Sequence, residues 1–332
     1  MNPEPGTASM AHPQVSIVVP VFNEAEVLND TWGRLHSVLQ ETQYRYEVIF
    51  VNDGSTDDSD QVLAQLHREN QAVTAISLSR NFGKEYALTA GLDFARGEAV
   101  ITLDADLQDP PELIPQMLEA WQDGYDVVTM RRVSREGETM AKRSSAWLFY
   151  RLLNRISDVP IPPDTGDFRL LSEKAVRAVR QLPERVRYMK GIFAWIGYRR
   201  KEIPYERSSR TGGSSKWGYL RLLRLALDGI TAFSTTPLRL ASYLGFLTAF
   251  GAFFFALWTI AKTLLFGEPV AGFPTILTTM LFLGGIQLMA IGVLGEYLGR
   301  LFIESKQRPH YLVSSILRHE QDENAGRTSQ DN

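Results

Sequence analysis

No cysteine occurs among the 332 residues. Disulfides and thiolate-held metals are therefore excluded, and the composition fits a reducing compartment. Residues 1–13 are polar and proline-bearing, with no apolar core, which predicts a disordered start and no export signal there. Internal repeats are absent. No Gly-x-Gly-x-x-Gly follows the first apolar run, which argues against a dinucleotide-dependent oxidoreductase. Charge is missing from two long stretches, Ala241–Ala261 and Gly272–Gly295. Each is about the length that crosses a bilayer core as helix, roughly 20 residues.

The short connector between these stretches, Lys262–Ala271, contains Gly267 and Pro269, so the two helices are expected to run antiparallel. Arg239 precedes the first span, and Arg300, Lys306 and Arg308 follow the second. That basic excess predicts a multi-pass protein of the inner (cytoplasmic) membrane, with the soluble domain and both termini cytoplasmic.

Net charge is -3, but it is unevenly spread. Residues 1–133 carry 8 Lys/Arg and 21 Asp/Glu, a net of -13, whereas residues 134–239 carry 21 and 10, a net of +11. A basic block directly before a span suits anionic headgroups or phosphates; a merely solvated surface is the plainer alternative. No nucleic-acid partner is expected. The hairpins offer a surface through which copies of the chain could form a homo-oligomer. The expected division is a disordered segment 1–13, a soluble domain 14–216, a juxtamembrane amphipathic helix 217–239, a two-helix hairpin 240–300 and a polar tail 301–332, disordered beyond Val313.

Apolar β-branched runs at Val15–Val19, Glu47–Val51, Val73–Leu78, Glu98–Leu103 and Asp126–Met130 read as strands. Helical spacing lies between them at Asn29–Gln40, Asp57–Glu69, with Ser55 or Thr56 as cap, and Lys84–Ala95; a further helix starts at Pro110-Pro111. Such alternation implies an α/β fold with an open, mostly parallel sheet covered on both faces. Ligands of such sheets bind beyond the carboxyl ends of the strands. Asn23-Glu24, Asp53, Arg80-Asn81, Asp104 and Asp106 collect at those ends. Two basic amphipathic segments, 141–156 and 217–235, suit the membrane interface, though the first reads equally well as a helix packed on the sheet.

Asp104-Ala-Asp106 closes the fourth strand, where alternate side chains leave on one side. Two carboxylates there suit a hard divalent cation that takes its other oxygens from a diphosphate, with Gln108 as a further donor. Asp53-Gly54-Ser55 serves equally as turn and cap chemistry, and on spacing alone that reading prevails. Arg80–Lys84 is balanced between a phosphate cradle and a turn. Gly166-Asp167-Phe168-Arg169 lies in a stretch read as irregular, where an acid beside apolar residues needs a partner or a task. Residues 207–217, with Arg207, Arg210 and Lys216 among glycines and serines, suit a mobile phosphate-binding loop or a basic linker.

Together these stretches resemble family 2 glycosyltransferases, and among them the polyprenyl-phosphate (bactoprenol) glycosyltransferases with two C-terminal membrane helices. The matching segments are IVVPVFNEAE at 17–26, VNDGSTDDS at 51–59, SRNFGKEYAL at 79–88, DADLQDPPELIP at 104–115, GDFRLL at 166–171, RTGGSSKW at 210–217 and LGEYLGR at 294–300. The resemblance implies a nucleotide-diphospho-sugar transferase (GT-A-like) domain, a nucleotide-sugar donor, a polyprenyl phosphate acceptor and Mg2+ or Mn2+. It implies that Pro20, Asn23, Glu24, Asp53, Lys84, Asp104 and Arg131 meet the donor and that Asp106 with Gln108 holds the metal. Asp167, with Asp106, falls at the catalytic position, and Arg169, Arg207, Arg210 and Lys216 would hold diphosphate or lipid phosphate. The Gln-x-x-Arg-Trp motif of processive synthases is missing, which implies one transfer per encounter. SRNFGKE favours UDP-glucose; GDP-mannose, a UDP-aminoarabinose derivative and UDP-GlcNAc stay open, as does a catalytically silent scaffold.

Overall fold

The structure, a computed structural model, describes residues 13–132, 165–185, 187–206, 236–266 and 272–319. The segments 141–156 and 217–235 and the residues Arg207, Arg210 and Lys216 lie outside the described residues.

β1 (Val15–Val21), β2 (Tyr46–Asn52), β3 (Val73–Leu78) and β4 (Ala99–Thr102) form a parallel core. Each is a run of buried β-branched and aromatic residues, the pattern of strands covered on both faces. The helices between them are α1 (Leu28–Gln40), α2 (Ser59–Glu69) and α3 (Lys84–Phe94). A 3-10 turn at Pro111–Leu113 leads into α4 (Ile114–Gln122), and β5 (Val127–Arg132) follows. Ile17 and Val19 share a core with Trp32 and Leu35 of α1 and Met117 of α4. On the other face Val18 packs so close to α3 that a Cβ on Gly91 would lie 2.1 Å from its methyl.

The later elements depart from the sequence reading. The stretch around Asp167, expected to be irregular, is β6 (Thr165–Ser172), which inserts between β4 and β5 antiparallel to both. α5 (Glu173–Gln181), α6 (Met189–Trp195) and β7 (Arg200–Tyr205) complete that side, with β7 parallel to β5. The tail expected to be disordered beyond Val313 forms β8 (Val313–Leu317), antiparallel to β3 at the far edge. Tyr311 donates to Asp93 at 2.9 Å and Arg318 to the Phe94 carbonyl at 3.1 Å, fixing the tail to α3. The eight-stranded order is β7-β5-β6-β4-β1-β2-β3-β8.

Two compact units result, one holding the sheet with β8, the other the two long C-terminal helices. In the second, α7 (Thr236–Phe266) and α8 (Phe273–Ser305) pack on each other as a hairpin. Both are long and apolar enough to cross a membrane. At 31 and 33 residues they would span about 46 and 50 Å, more than the roughly 30 Å hydrocarbon core. Phe246, Trp258 and Leu264 are exposed on the first helix, and Met280 and Leu288 on the second.

Candidate active site

The site is assembled at the carboxyl ends of β1–β4. Pro20 lies in β1 beyond the pairing with β4, which ends at Val18, so its missing N–H removes no ladder bond on that side. Asn23 then takes a left-handed backbone, φ 56°, which Asn tolerates better than most residues. Its amide donates to Ser55 Oγ at 2.9 Å, and its Oδ1 accepts from the Thr56 amide at 2.8 Å. The Glu24 amide donates to Ser59 Oγ at 3.1 Å and the Ala25 amide to Asp57 at 3.1 Å. The loops after β1 and β2 are thereby laced together. Ser55 and Thr56 are spent on this lacing and do not cap α2, whose N-cap is Asp58.

Asp53 is 3% exposed. Its two oxygens accept from the amides of Phe82, 2.8 Å, and Gly83, 2.9 Å. Burial pushes its carboxyl up, opposed by these two bonds and by Arg80. The acid therefore holds the loop 80–84. That loop crosses directly over Gly54, where a Cβ would lie 2.4 Å from the Arg80 carbonyl carbon, and Gly54 has φ 67°. Only glycine fits there.

The held loop delivers Lys84. Its ammonium lies 2.6 Å from Asp104 Oδ1 and 2.5 Å from Asp167 Oδ2. Register explains the meeting: Thr102 pairs with Arg169 across β4 and β6, and two further residues bring Asp104 opposite Asp167. The Thr102 hydroxyl also donates to the Asp167 carbonyl. Burial alone would lower the Lys84 pKa, but Asp104 and Asp167 outweigh it and hold the ammonium charged. Burial raises Asp167, yet the cations Lys84, Lys190 and Arg169 win and hold its carboxyl well below the usual range. Next door, burial and the Asp167 charge push Glu85 up to about 7.

These positions fall inside a recognisable stretch of chain. The family model "Glycosyl transferase family 2" matches residues 16–180. A Synechocystis protein described as an uncharacterized glycosyltransferase is 47% identical over 303 residues, 91% of this chain and 95% of its own. The bactoprenol glucosyl transferase of Shigella phage SfV is 46% identical over 302 residues, 91% and 98% respectively. The prophage bactoprenol glucosyl transferase homolog of Escherichia coli K12 is 44% identical over 303 residues, 91% and 99%. The chain belongs to glycosyl transferase family 2.

In this glycosyltransferase the acidic turn after β4 is set by Leu107, whose φ of 54° reverses the backbone between Asp106 and Gln108. Asp106 Oδ1 accepts the Gln108 amide at 3.3 Å, and Thr31 of α1 donates to the Ala105 carbonyl at 2.7 Å. No cluster of three or more His, Cys, Asp or Glu occurs among the described residues. A Mg2+-type site needs only one or two carboxylates, the remaining oxygens coming from substrate phosphates and water. The all-oxygen donors Asp106 and Gln108 fit such an ion, while Asp104 is charge-paired to Lys84.

Two of the basic residues expected at the site engage protein partners in the structure. Arg131 points away, 3.6 Å from Glu202, with both side chains substantially exposed. Its neighbour Arg132 faces the site side of β5: it donates to Tyr205 Oη at 3.2 Å and lies 3.6 Å from the wholly buried Asp109. Period-two alternation decides which of the two arginines turns inward. Arg169 is 3% exposed; it donates to the Gly166 carbonyl at 2.6 Å and stacks on Phe193 at 4.2 Å. Its charge is one of the three that hold the Asp167 carboxyl low.

Sequence reasoning passed over Glu85, Asp109, Arg132, Lys190 and Tyr205. Asp109 was legible as the third acid of DADLQD. The others depend on neighbours distant in sequence.

Proposed function

We propose that this glycosyltransferase moves glucose from UDP-glucose onto the phosphate of a membrane polyprenyl phosphate, with inversion at the anomeric carbon. The observation that carries the reading is the extent of the likeness. Identity of 46% to a bactoprenol glucosyl transferase runs over 302 residues, 91% of this chain and 98% of the relative. The chain path supports it too. The hairpin is inserted between β7 and β8 of one sheet, so both of its ends return to the same soluble unit. That favours a sheet on a single side of the membrane, and the basic flanks favour the cytoplasmic side.

In the proposed reaction an oxygen of the lipid phosphate attacks the anomeric carbon. The bond from that carbon to the diphosphate oxygen breaks, and UDP leaves with the electron pair. A phosphate monoester has its second pKa near 6, so most of the acceptor is already dianionic at neutral pH. No strong base is required. Asp167, held ionised by Lys84, is suited to orienting the sugar and Lys84 rather than to moving a proton. Lys84 in turn fixes the distance between Asp104 and Asp167 and brings positive charge to where the phosphates meet. Asp106 and Gln108 would hold Mg2+ or Mn2+, which when bound supplies positive charge against the departing diphosphate. The loops laced by Asn23, Ser55 and Asp53 would receive the nucleotide.

The test uses membranes containing the full chain, undecaprenyl phosphate and a panel of nucleotide sugars, with the lipid product read by mass spectrometry. One hexose gained from UDP-glucose is expected. A gain from GDP-mannose or UDP-GlcNAc alone would reassign the donor, and no gain across the panel would overturn the reading.

A further inference from the structure

α6 has the sequence MKGIFAW, and Met189, Gly191, Ile192 and Phe193 are buried. Lys190 is its single charged residue. The Met189 amide donates to the Glu85 carboxylate, so the start of α6 is docked on the start of α3, beside Lys84. Lys190 is thereby brought within electrostatic reach of Asp167, Arg169, Lys84 and Arg132.

Every other cation of this cluster has its charge answered. Lys84 lies between Asp104 and Asp167. Arg132 engages Asp109 and Tyr205. Arg169 engages the Gly166 carbonyl and the Phe193 ring. Lys190 makes no hydrogen bond or ion pair among the described residues. Burial lowers its pKa, the attraction of Asp167 opposes this, and the three neighbouring cations add to the lowering. A partly desolvated ammonium with no direct ion pair or hydrogen bond is costly. An anion arriving at the site would remove that cost. The buried polar atoms Asp167 Oδ1, Glu85 Oε2 and Arg169 Nε also have no hydrogen-bond partner among the described residues, so the cluster holds unused polar capacity beside Lys190.

We propose that Lys190 is a substrate-phosphate ligand of the transfer site, its ammonium receiving a phosphate oxygen beside Asp167. The assignment deepens the reading above and rests on it. Phosphate can come from two sources, the donor's diphosphate or the lipid's monoester, and both present the same oxygen chemistry to Lys190.

The experiment measures binding of UDP and, separately, of a short-chain polyprenyl phosphate to the full-length detergent-solubilised protein. Wild type is compared with Lys190→Met and Lys190→Arg, alongside melting temperature. The expected result is a tenfold or greater rise in Kd for one ligand in Lys190→Met, with the other within twofold and binding within about threefold of wild type in Lys190→Arg. The affected ligand identifies the source. A purely structural stem would give the reverse order, Met tolerated and Arg disruptive, and would overturn the assignment. So would wild-type binding of both ligands by Lys190→Met. If Lys190→Met does not fold, Lys190→Gln is read by the same criteria. If wild type binds neither ligand, the transferase reading falls as well; if only the variants behave as wild type, that reading stands and Lys190 alone is misassigned.

Discussion

Asp104 and Asp167 share one ammonium: Lys84 Nζ stands 2.6 Å from the first and 2.5 Å from the second. Two carboxylates brought together by adjacent antiparallel strands would repel, and the lysine at the start of α3 lies between them and offsets that repulsion. Lys84→Met is therefore expected to lower kcat/KM at least a hundredfold. Stability should fall by about 1–2 kcal/mol, less than for a fully buried pair because the Lys84 side chain keeps 43% exposure. Steady-state kinetics and thermal melts check this. A variant within threefold of wild-type activity would remove Lys84 from the site.

Asp106→Asn should lower metal-dependent turnover at least a hundredfold and raise the Mg2+ or Mn2+ concentration needed for half-maximal rate. Titration of each cation into chelator-treated protein measures both. Wild-type rates in the variant would contradict the metal assignment.

Adjacent arginines should behave unlike one another. Arg131→Ala removes an exposed pair with Glu202 and should change stability by less than about 1 kcal/mol. Arg132→Ala removes a cation 3.6 Å from the buried Asp109 and a bond to Tyr205, and should cost more than the Arg131 change. Melting temperatures of the two variants, measured side by side, decide the matter; equal losses would count against the inward placement of Arg132.

Glu85 introduces a pH dependence whose sign is fixed. Its carboxyl is raised from 4.5 to about 7, so between those values the folded protein binds more protons than the unfolded chain. Stability contributed by this group is thus present at low pH and is lost as pH rises through that window. Asp167 acts oppositely: its carboxyl is lowered, and its contribution is lost as pH falls below the ordinary carboxylate range. Glu85→Gln should flatten the decline between about pH 4.5 and 7, as read by melting temperature across a buffer series. An unchanged slope would show that Glu85 is ionised in the folded protein at neutral pH.

Truncation after Arg308 would keep the hairpin but remove β8 and the Tyr311 and Arg318 bonds. It should expose the edge of β3, lower the melting temperature and speed proteolysis of the soluble unit. Unaltered melting and protease resistance would mean that the tail is not part of the sheet.

How far the fold could be read from the chain depended on what each strand had to hide. β1 to β5 carry runs such as Val15–Val19 and Val73–Leu78, whose buried β-branched character needs no partner to be visible. β6 concealed itself because Asp167 and Arg169 sit inside a central strand. Their charges are compensated by Lys84 and by the Phe193 ring, both distant in sequence, and no local pattern announces such compensation. β8, Val-Ser-Ser-Ile-Leu, is short and half polar, as an edge strand can be. The strand-end acids were legible because parallel sheets collect ligands there. Asp53 was legible as a turn residue, but its grip on the Phe82 and Gly83 amides is a tertiary fact. Lys190 was illegible for a related reason, since its distinguishing property is the lack of a direct hydrogen bond or ion pair among the described residues.

Transfer of a glucosyl group to a lipid phosphate with inversion is decided by incubating the full chain in vesicles with UDP-α-glucose labelled in the sugar, undecaprenyl phosphate and Mg2+, then determining the anomeric configuration of the lipid product by NMR. The predicted result is a β-linked glucosyl phosphate lipid formed in step with UDP. Label remaining wholly on UDP-glucose or free glucose, or an α-linked product, would contradict it.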